Sequence, residues 1–332
     1  MKFIINGGKS LKGSIRVGGF KNSATPIICA TLLTDQTCIL KNIPKIGDVL
    51  TLLKIMESLG SKIKWLDEHC LEIKNDEIQL EKLDQNLVCK IRSSILLIGP
   101  LLARFKKVNF ITPGGCKIGS RPLDAHLEAF EDLGVRVDLD NDSGIYQLEA
   151  RESRNDSVSL KEFSVSATEN ILMFGFLRPL TIRMAALEPH VFDLIEFLKK
   201  VGADIQLTGP HVFFIKPVKN VQDEKIEHTI INDPIEAGTF AMLAAATRGT
   251  IDIIGFNRDH LELPLRKLKE FGVIFNLHDD VLSVDGPRSV LKAAKVQTLP
   301  YPGIPTDLQA MFGVLATQAD GSSLIFDTMY EG

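Results

Sequence analysis

The chain has 332 residues, 45% of them apolar and 24% charged, with a net charge of -4. That length suits two hydrophobic cores rather than one, and the mild acidic balance excludes a basic field for nucleic acid. The longest apolar stretches, Ile95 to Ala103 and Ile171 to Leu177, fall well short of the ~20 residues that span a bilayer. Met1 to Gly8 holds only Phe3-Ile4-Ile5 as an apolar cluster, so neither a membrane segment nor a signal peptide is expected and the protein reads as cytoplasmic.

In chain order, a helix rich in small apolar residues opens near Ala24 and leads to a strand at Thr37-Cys38-Ile39-Leu40. A second, amphipathic helix ends at Leu59-Gly60, followed by a hairpin with Ile63 and Trp65 on one arm and Leu71 and Ile73 on the other. The pattern returns. A buried helix opens near Ile95, a second helix ends at Leu133-Gly134, and Val135, Val137 and Leu139 lead into the turn Asn141-Asp142-Ser143-Gly144. A third unit has helices opening near Thr168 and ending at Val201-Gly202, then Ile205 and Leu207, Gly209-Pro210, and Val212 to Ile215. A fourth has a helix near Ala237, a strand at Thr250 to Ile254, a helix ending at Phe271-Gly272 and a hairpin turning at Asp279-Asp280. Glycines 60, 134, 202 and 272 stand 74, 68 and 70 residues apart, each where a helix closes in the left-handed conformation. The unit is helix, strand, helix, strand, strand, and the all-round apolar helix of each is expected to be buried on every side. A fifth such helix begins at Asp307 and its strand covers Ser323 to Asp327. No second helix or hairpin follows before Gly332, so the sequence reads as cut short of a natural end.

Five cysteines at 29, 38, 70, 89 and 116 form no CxxC, which argues against a disulfide framework or a zinc site. Cys116 differs from the others. It lies in Pro113-Gly114-Gly115-Cys116-Lys117-Ile118-Gly119-Ser120-Arg121, where cations favour a thiolate and glycines allow a loop to close. Arg121 can hold a phosphate or carboxylate by two parallel hydrogen bonds. Gly18-Gly19-Phe20-Lys21-Asn22-Ser23 ends a strand and opens a helix. Asn22 or Ser23 is placed to cap it, Pro26 falls in its first turn, and Lys21 beside a helix N-terminus makes an anion site, against the alternative of an ordinary cap with a solvated lysine. Arg92 at the start of a helix opposes the dipole, which suggests either a bound anion or a salt bridge. Ser164 to Thr168, Asp233 and Asp307 precede buried helices and read equally as caps or as ligands.

Gly19-Phe20-Lys21-Asn22, Pro113 through His126, Asp233 with Glu236 to Phe240, and Pro305 to Ala310 together make the chain, from Lys2 to its last residue, resemble the UDP-N-acetylglucosamine 1-carboxyvinyltransferases. The resemblance implies an α/β fold of α+β repeats, a two-domain enolpyruvyl transferase-like inside-out α/β barrel with substrates bound between the domains. Residues 22–229 would form the first domain with three repeats. Residues 1–21 plus 230–332 would form the second, incomplete, with the fourth repeat and half of the fifth. The implied reaction moves enolpyruvyl from phosphoenolpyruvate to the 3-hydroxyl of UDP-N-acetylglucosamine and releases phosphate, the first committed step of peptidoglycan synthesis. No metal or organic cofactor is implied. The implied partners are the two small-molecule substrates, without nucleic acid or membrane, and the oligomeric state stays open.

By position in the shared motifs, Cys116 would protonate the enol carbon and Asp307 would be the base near the sugar hydroxyl. Lys21, Asn22 and Arg121 would hold phosphoenolpyruvate or the diphosphate. Arg92, Arg121, Pro122, Leu123, Asp124 and Ala125 with Glu162, Phe163, Ser164 and Val165 would line the UDP-sugar site, with Asp233 in the second domain and Met329 as a backbone contact. Glu162 departs from the family pattern, and an acid there repels phosphate unless it turns away. The family continues past the last residue for roughly one and a half further units that begin with an arginine. Two other readings stand beside this one: a catalytically incomplete fragment or paralogue that only binds a UDP-sugar or a partner, and the sister enzyme acting on shikimate 3-phosphate, whose Gly-Asn-x-Gly-Thr run is absent.

Overall fold

The computed structural model describes residues 2–114, 123–218 and 225–330. Strand β1 (Lys12–Arg16) is followed by α1 (Lys21–Ala30), β2 (Thr37–Lys41), α2 (Gly47–Leu59) and the hairpin β3 (Lys62–Trp65) and β4 (Leu71–Lys74). A short α3 (Gln85–Val88) precedes a 3-10 segment, Arg92–Leu97, that runs into α4 (Ile98–Phe105). Then come β5 (Lys107–Ile111), α5 (Asp124–Asp132), and the hairpin β6 (Val135–Asp140) and β7 (Ile145–Ala150). The third repeat contains β8 (Ser157–Ser159), α6 (Val165–Phe174), β9 (Leu180–Arg183), α7 (Pro189–Val201), β10 (Ala203–Gly209) and β11 (Val212–Pro217). After β12 (Lys225–Thr229), the fourth contains α8 (Pro234–Ala246), β13 (Thr250–Ile254), α9 (Glu262–Glu270), β14 (Ile274–His278) and β15 (Val281–Asp285). The last described elements are β16 (Lys295–Gln297), α10 (Gln309–Ala316) and β17 (Leu324–Phe326).

Two compact units result, Gly19–Ile231 and Met1–Gly18 with Asn232–Gly332, against limits of 22–229 and 1–21 plus 230–332 read from the sequence. Each has its own apolar core. In the larger unit α6 is buried from Ala167 to Phe174, all round the helix, as its composition requires. In the smaller one, alanines 237, 241, 244 and 245 of α8 pack against Phe271, Phe312 and Leu308.

The four helix-ending glycines adopt φ of 105° at Gly60, 87° at Gly134, 123° at Gly202 and 82° at Gly272. At Gly60 the backbone closes α2 by Gly60 N–H to Glu57 O and Ser61 N–H to Met56 O, which satisfies carbonyls the helix leaves open.

The hairpins are joined into sheets by β2 and β13, which the sequence marks, and by short outer strands such as β8 and β12, which it does not. β12, β2, β4 and β3 lie side by side in that order, as do β8, β9, β11 and β10, and β1, β13, β15 and β14. In each, the outermost first strand runs parallel to its neighbour and the rest are antiparallel. The second repeat has the three strands β5, β7 and β6, and β16 pairs in parallel with β17 alone.

Two local expectations are corrected. Helix α1 starts at Lys21 with Phe20 as its N-cap and no side-chain cap, so neither Asn22 nor Ser23 caps it, and Pro26 lies inside the helix rather than in its first turn. Pro26 removes one helical N–H, and the packing of Ser23 to Ala30, all buried, offsets that loss. Arg92 opens a 3-10 turn, and α4 proper begins at Ile98.

α10 and β17 leave Val314, Leu324 and Phe326 exposed at 61%, 59% and 54%. No helix among the described residues is long and apolar enough to cross a membrane.

Candidate active site

In the larger unit, the Gly-Phe-Lys-Asn motif is fixed by close backbone approach. A Cβ on Gly19 would fall 1.7 Å from Asn42 O, so only glycine fits. Phe20 N–H donates to Ile231 O at 2.9 Å, and the Phe20 ring meets His190 edge-on at 5.2 Å. Ser23 donates to the buried Asp193, which also accepts Ile231 N–H at 3.1 Å and lies 2.9 Å from His228 Nε2. This holds the uncapped start of α1, with Lys21 and Asn22 both half-buried on it. Lys21 is ion-paired with Asp48 in the first turn of α2, a partner the sequence did not single out.

Three further segments of this unit carry expected ligands. Half-buried Arg92 stands at the head of the 3-10 turn. Leu123 precedes α5 and is buried, Asp124 at its first position is exposed, and Ala125 is buried. Ser164 caps α6, its Oγ accepting Ala167 N–H at 3.4 Å, with Val165 as the first helical residue. Exposed Glu162 lies just before the cap, and Phe163 packs its ring 4.5 Å from that of His211. Cys116, Arg121 and Pro122 lie outside the described residues. The glycine segment before them is anchored: a Cβ on Gly114 would meet Cys89 O at 1.6 Å.

Cys29, Cys38 and Cys70 are buried, and Cys89 is half-buried. Burial pushes Cys38 up to about 12 and raises Cys29 and Cys70 as well, which leaves them protonated at neutral pH. Arg104 donates to Leu32 O and Asn75 O and pairs with Asp35, and Arg178 donates to Leu133 O, so both serve the fold.

Sequence reasoning missed Glu169, a carboxyl fully inside α6. Burial first, then the charge of Glu188, raises it well above the ordinary carboxylate value. The run Thr168-Glu169-Asn170, three polar residues on a helix buried all round, was the available signal.

The smaller unit gathers acids. Asp233 caps α8, accepting Ile235 N–H at 2.8 Å and Glu236 N–H at 3.1 Å, while its own N–H donates to Gly18 O. Glu236 accepts Gly18 N–H at 2.8 Å. Burial raises Asp233 to about 6. Its two backbone hydrogen bonds oppose the rise, and the charges of Glu236 and Asp307 add to it. Asp307 is exposed in the 3-10 turn Thr306–Leu308 ahead of α10. Its neighbour Thr306 donates to Asp327, which also accepts Met329 N–H at 2.8 Å. Against a burial that raises it, hydrogen bonds from Thr306, Met329, Thr298 and Tyr330 hold Asp327 below its ordinary value.

The folded chain matches solved structures of one transferase class. The enolpyruvyl transferase NikO from Streptomyces tendae superposes with a TM-score of 0.84 at 22% identity, covering 96% of this chain and 75% of that one. An EPSP synthase from Acinetobacter baumannii gives 0.71 at 17% identity, over 97% of this chain and 74% of that one. These likenesses define the fold as that of the enolpyruvyl transferases.

The family model for EPSP synthase (3-phosphoshikimate 1-carboxyvinyltransferase) matches residues 5–331. A UDP-N-acetylglucosamine 1-carboxyvinyltransferase 1 of Carboxydothermus hydrogenoformans is 41% identical over 99% of this chain and 77% of that protein. A second, from Symbiobacterium thermophilum, is 39% identical over 99% of this chain and 75% of that protein. The chain therefore belongs to the carboxyvinyltransferase family. The expected truncation and the incomplete second domain gain no support from these matches, which take in nearly all of the chain.

Proposed function

We propose that the protein transfers enolpyruvyl from phosphoenolpyruvate to the 3-hydroxyl of UDP-N-acetylglucosamine and so serves peptidoglycan synthesis. The reading is carried by the 41% identity to a relative named for that activity, together with the cysteine segment that the sequence singles out.

Roles follow from chemistry. Lys21, Asn22 and Arg121 neutralise the phosphate and carboxylate of phosphoenolpyruvate. Arg92, residues 122–125, residues 162–165, Asp233 and Met329 are assigned to binding of the UDP-sugar. Cys116 donates a proton to the enol carbon, which makes the neighbouring carbon electrophilic. Asp307 takes the proton of the attacking hydroxyl to give a tetrahedral intermediate, and that intermediate then loses phosphate together with a proton from its methyl carbon, which restores the carbon–carbon double bond. Asp307 is exposed, so a substrate hydroxyl can reach its carboxylate, and Glu162 is exposed to solvent, which suits a site for diphosphate.

Phosphate release with both substrates, with either alone, and with shikimate 3-phosphate in place of the UDP-sugar tests the reading. Release is expected only with phosphoenolpyruvate and UDP-N-acetylglucosamine together, and not in Cys116→Ala. Turnover with shikimate 3-phosphate, or an unchanged rate in Cys116→Ala, would refute it.

A further inference from the structure

Asn170 is wholly buried on α6 and every polar atom of its amide is used. Its Nδ2 donates to Ile95 O and to His126 Nδ1, each at 3.0 Å, and its Oδ1 accepts Gly99 N–H at 2.8 Å. The arrangement has one solution. A flipped amide would set its oxygen against the Ile95 carbonyl and its NH2 against the Gly99 N–H. Because both Nδ2 hydrogens are committed as donors, His126 Nδ1 must be an unprotonated acceptor. The ring proton therefore sits on Nε2, which lies 3.0 Å from Ser166 Oγ and donates to it. Burial, and then the charge of Arg92, keep the buried His126 ring neutral. α4 and α6 approach closely here: a Cβ on Gly99 would meet the Asn170 backbone oxygen at 2.3 Å, and this approach brings Gly99 N–H to the side-chain amide.

One side chain thus ties three segments that are far apart in sequence. The segment leading into α4 begins with Arg92, the first turn of α5 carries Leu123, Asp124 and Ala125, and the first turn of α6 carries Ser164 and Val165. No other role is visible for the pair, since neither side chain reaches the surface: Asn170 is 0% and His126 2% exposed.

We propose that Asn170 and His126 are positioning residues of the UDP-sugar site, holding the three segments in register through the Ile95–Gly99–Asn170–His126–Ser166 hydrogen-bond chain. This rests on the functional reading above. Buried polar groups that are fully satisfied fix a unique arrangement, and a site loses binding when its supporting shell is loosened by about 1 Å.

The test uses Asn170→Asp, which keeps the shape but sets a carboxylate oxygen against the Ile95 carbonyl. Ser166→Ala is the milder second variant, removing only the acceptor of His126 Nε2. Binding of UDP-N-acetylglucosamine alone is measured by calorimetry, and KM for each substrate by phosphate release, on protein shown to be folded by circular dichroism. Asn170→Asp is expected to raise Kd and KM for the UDP-sugar by roughly tenfold or more, and Ser166→Ala by about threefold, with KM for phosphoenolpyruvate changed by less than about twofold. Equal rises in both KM values would mean a general loss of packing and overturn the proposal. So would an unchanged Kd in folded Ser166→Ala protein. If the wild type itself binds no UDP-N-acetylglucosamine, the functional reading falls and takes this proposal with it. Binding by the wild type that the variants retain removes the proposal alone.

Discussion

Asp233 is a carboxylate kept where the fold would prefer it neutral. Its value stands at about 6 in the folded chain against an ordinary 3.8, so the folded state holds its proton more tightly than the unfolded state. Stability contributed by this group therefore falls as pH rises from 3.8 through 6, then levels off. The full difference corresponds to about 3 kcal/mol above pH 7, and to about half of that at pH 5. An asparagine in its place would keep the cap, since the amide oxygen can accept the same Ile235 and Glu236 N–H groups, and Asn ranks with Asp at such positions. Asp233→Asn is thus expected to stabilise the smaller unit, with a margin over wild type that grows by about 1.4 kcal/mol from pH 5 to pH 8. Urea unfolding of both proteins at the two pH values reads this margin, and comparing the two proteins cancels the titrating groups that do not couple to Asp233, Glu169 among them. Activity should fall in the same variant if the charge is retained for function. A margin that stays constant or shrinks with pH would refute the argument, because it would mean that ionised Asp233 is not penalised.

A fosfomycin-type epoxide should add once per chain. Peptide mapping should place the adduct on Cys116 and not on Cys29, Cys38 or Cys70, whose burial keeps them protonated; modification at any of those three would contradict the assignment. Gly19→Ala should cost roughly 2–4 kcal/mol, because the new Cβ meets backbone 1.7 Å away rather than a side chain that can yield, and a melting temperature equal to wild type would show that the contact is not tight. Lys21→Ala should leave stability within about 1 kcal/mol, its ion pair with Asp48 being roughly 40% exposed on each side. It should nevertheless raise KM for phosphoenolpyruvate, and an unchanged KM would remove Lys21 from the site.

The repeats were legible because their signals are local. Apolar periodicity marks α2, α7 and α9, all-round apolar runs mark α6 and α8, and glycines 60, 134, 202 and 272 mark helix ends by a conformation other residues avoid. The strands that complete the sheets were not legible. β12 pairs with β2 from Lys225↔Thr37 to Thr229↔Lys41, nearly two hundred residues apart in sequence, and its residues Lys225 to Thr229 show only two buried side chains, Ile226 and His228. β8 has three residues, two of them serine. A parallel partner is chosen by the crossover that brings it there, and nothing in such a short polar segment encodes that partner.

The site divides along the same line. Lys21, Cys116, Arg121 and Asp307, the residues proposed for the chemistry, stand in motifs whose residue types single them out in the sequence. The buried polar residues of the larger unit do not announce their partners. Asp193, Asn170 and His126 act by meeting groups from other segments, and in sequence each is a polar residue on the largely apolar side of its helix. Yet a fully buried helix has no cheap place for Thr168, Glu169 and Asn170, since an unsatisfied polar group there costs a few kcal/mol. Thr168 and Asn170 find partners in Ala186 N–H and the Ile95–Gly99–His126 set, whereas Glu169 Oε1 meets no hydrogen-bond partner among the described residues and burial instead raises its carboxyl well above the ordinary value. Polar residues in the middle of an all-round apolar helix thus mark a supporting shell even where they do not say what it supports.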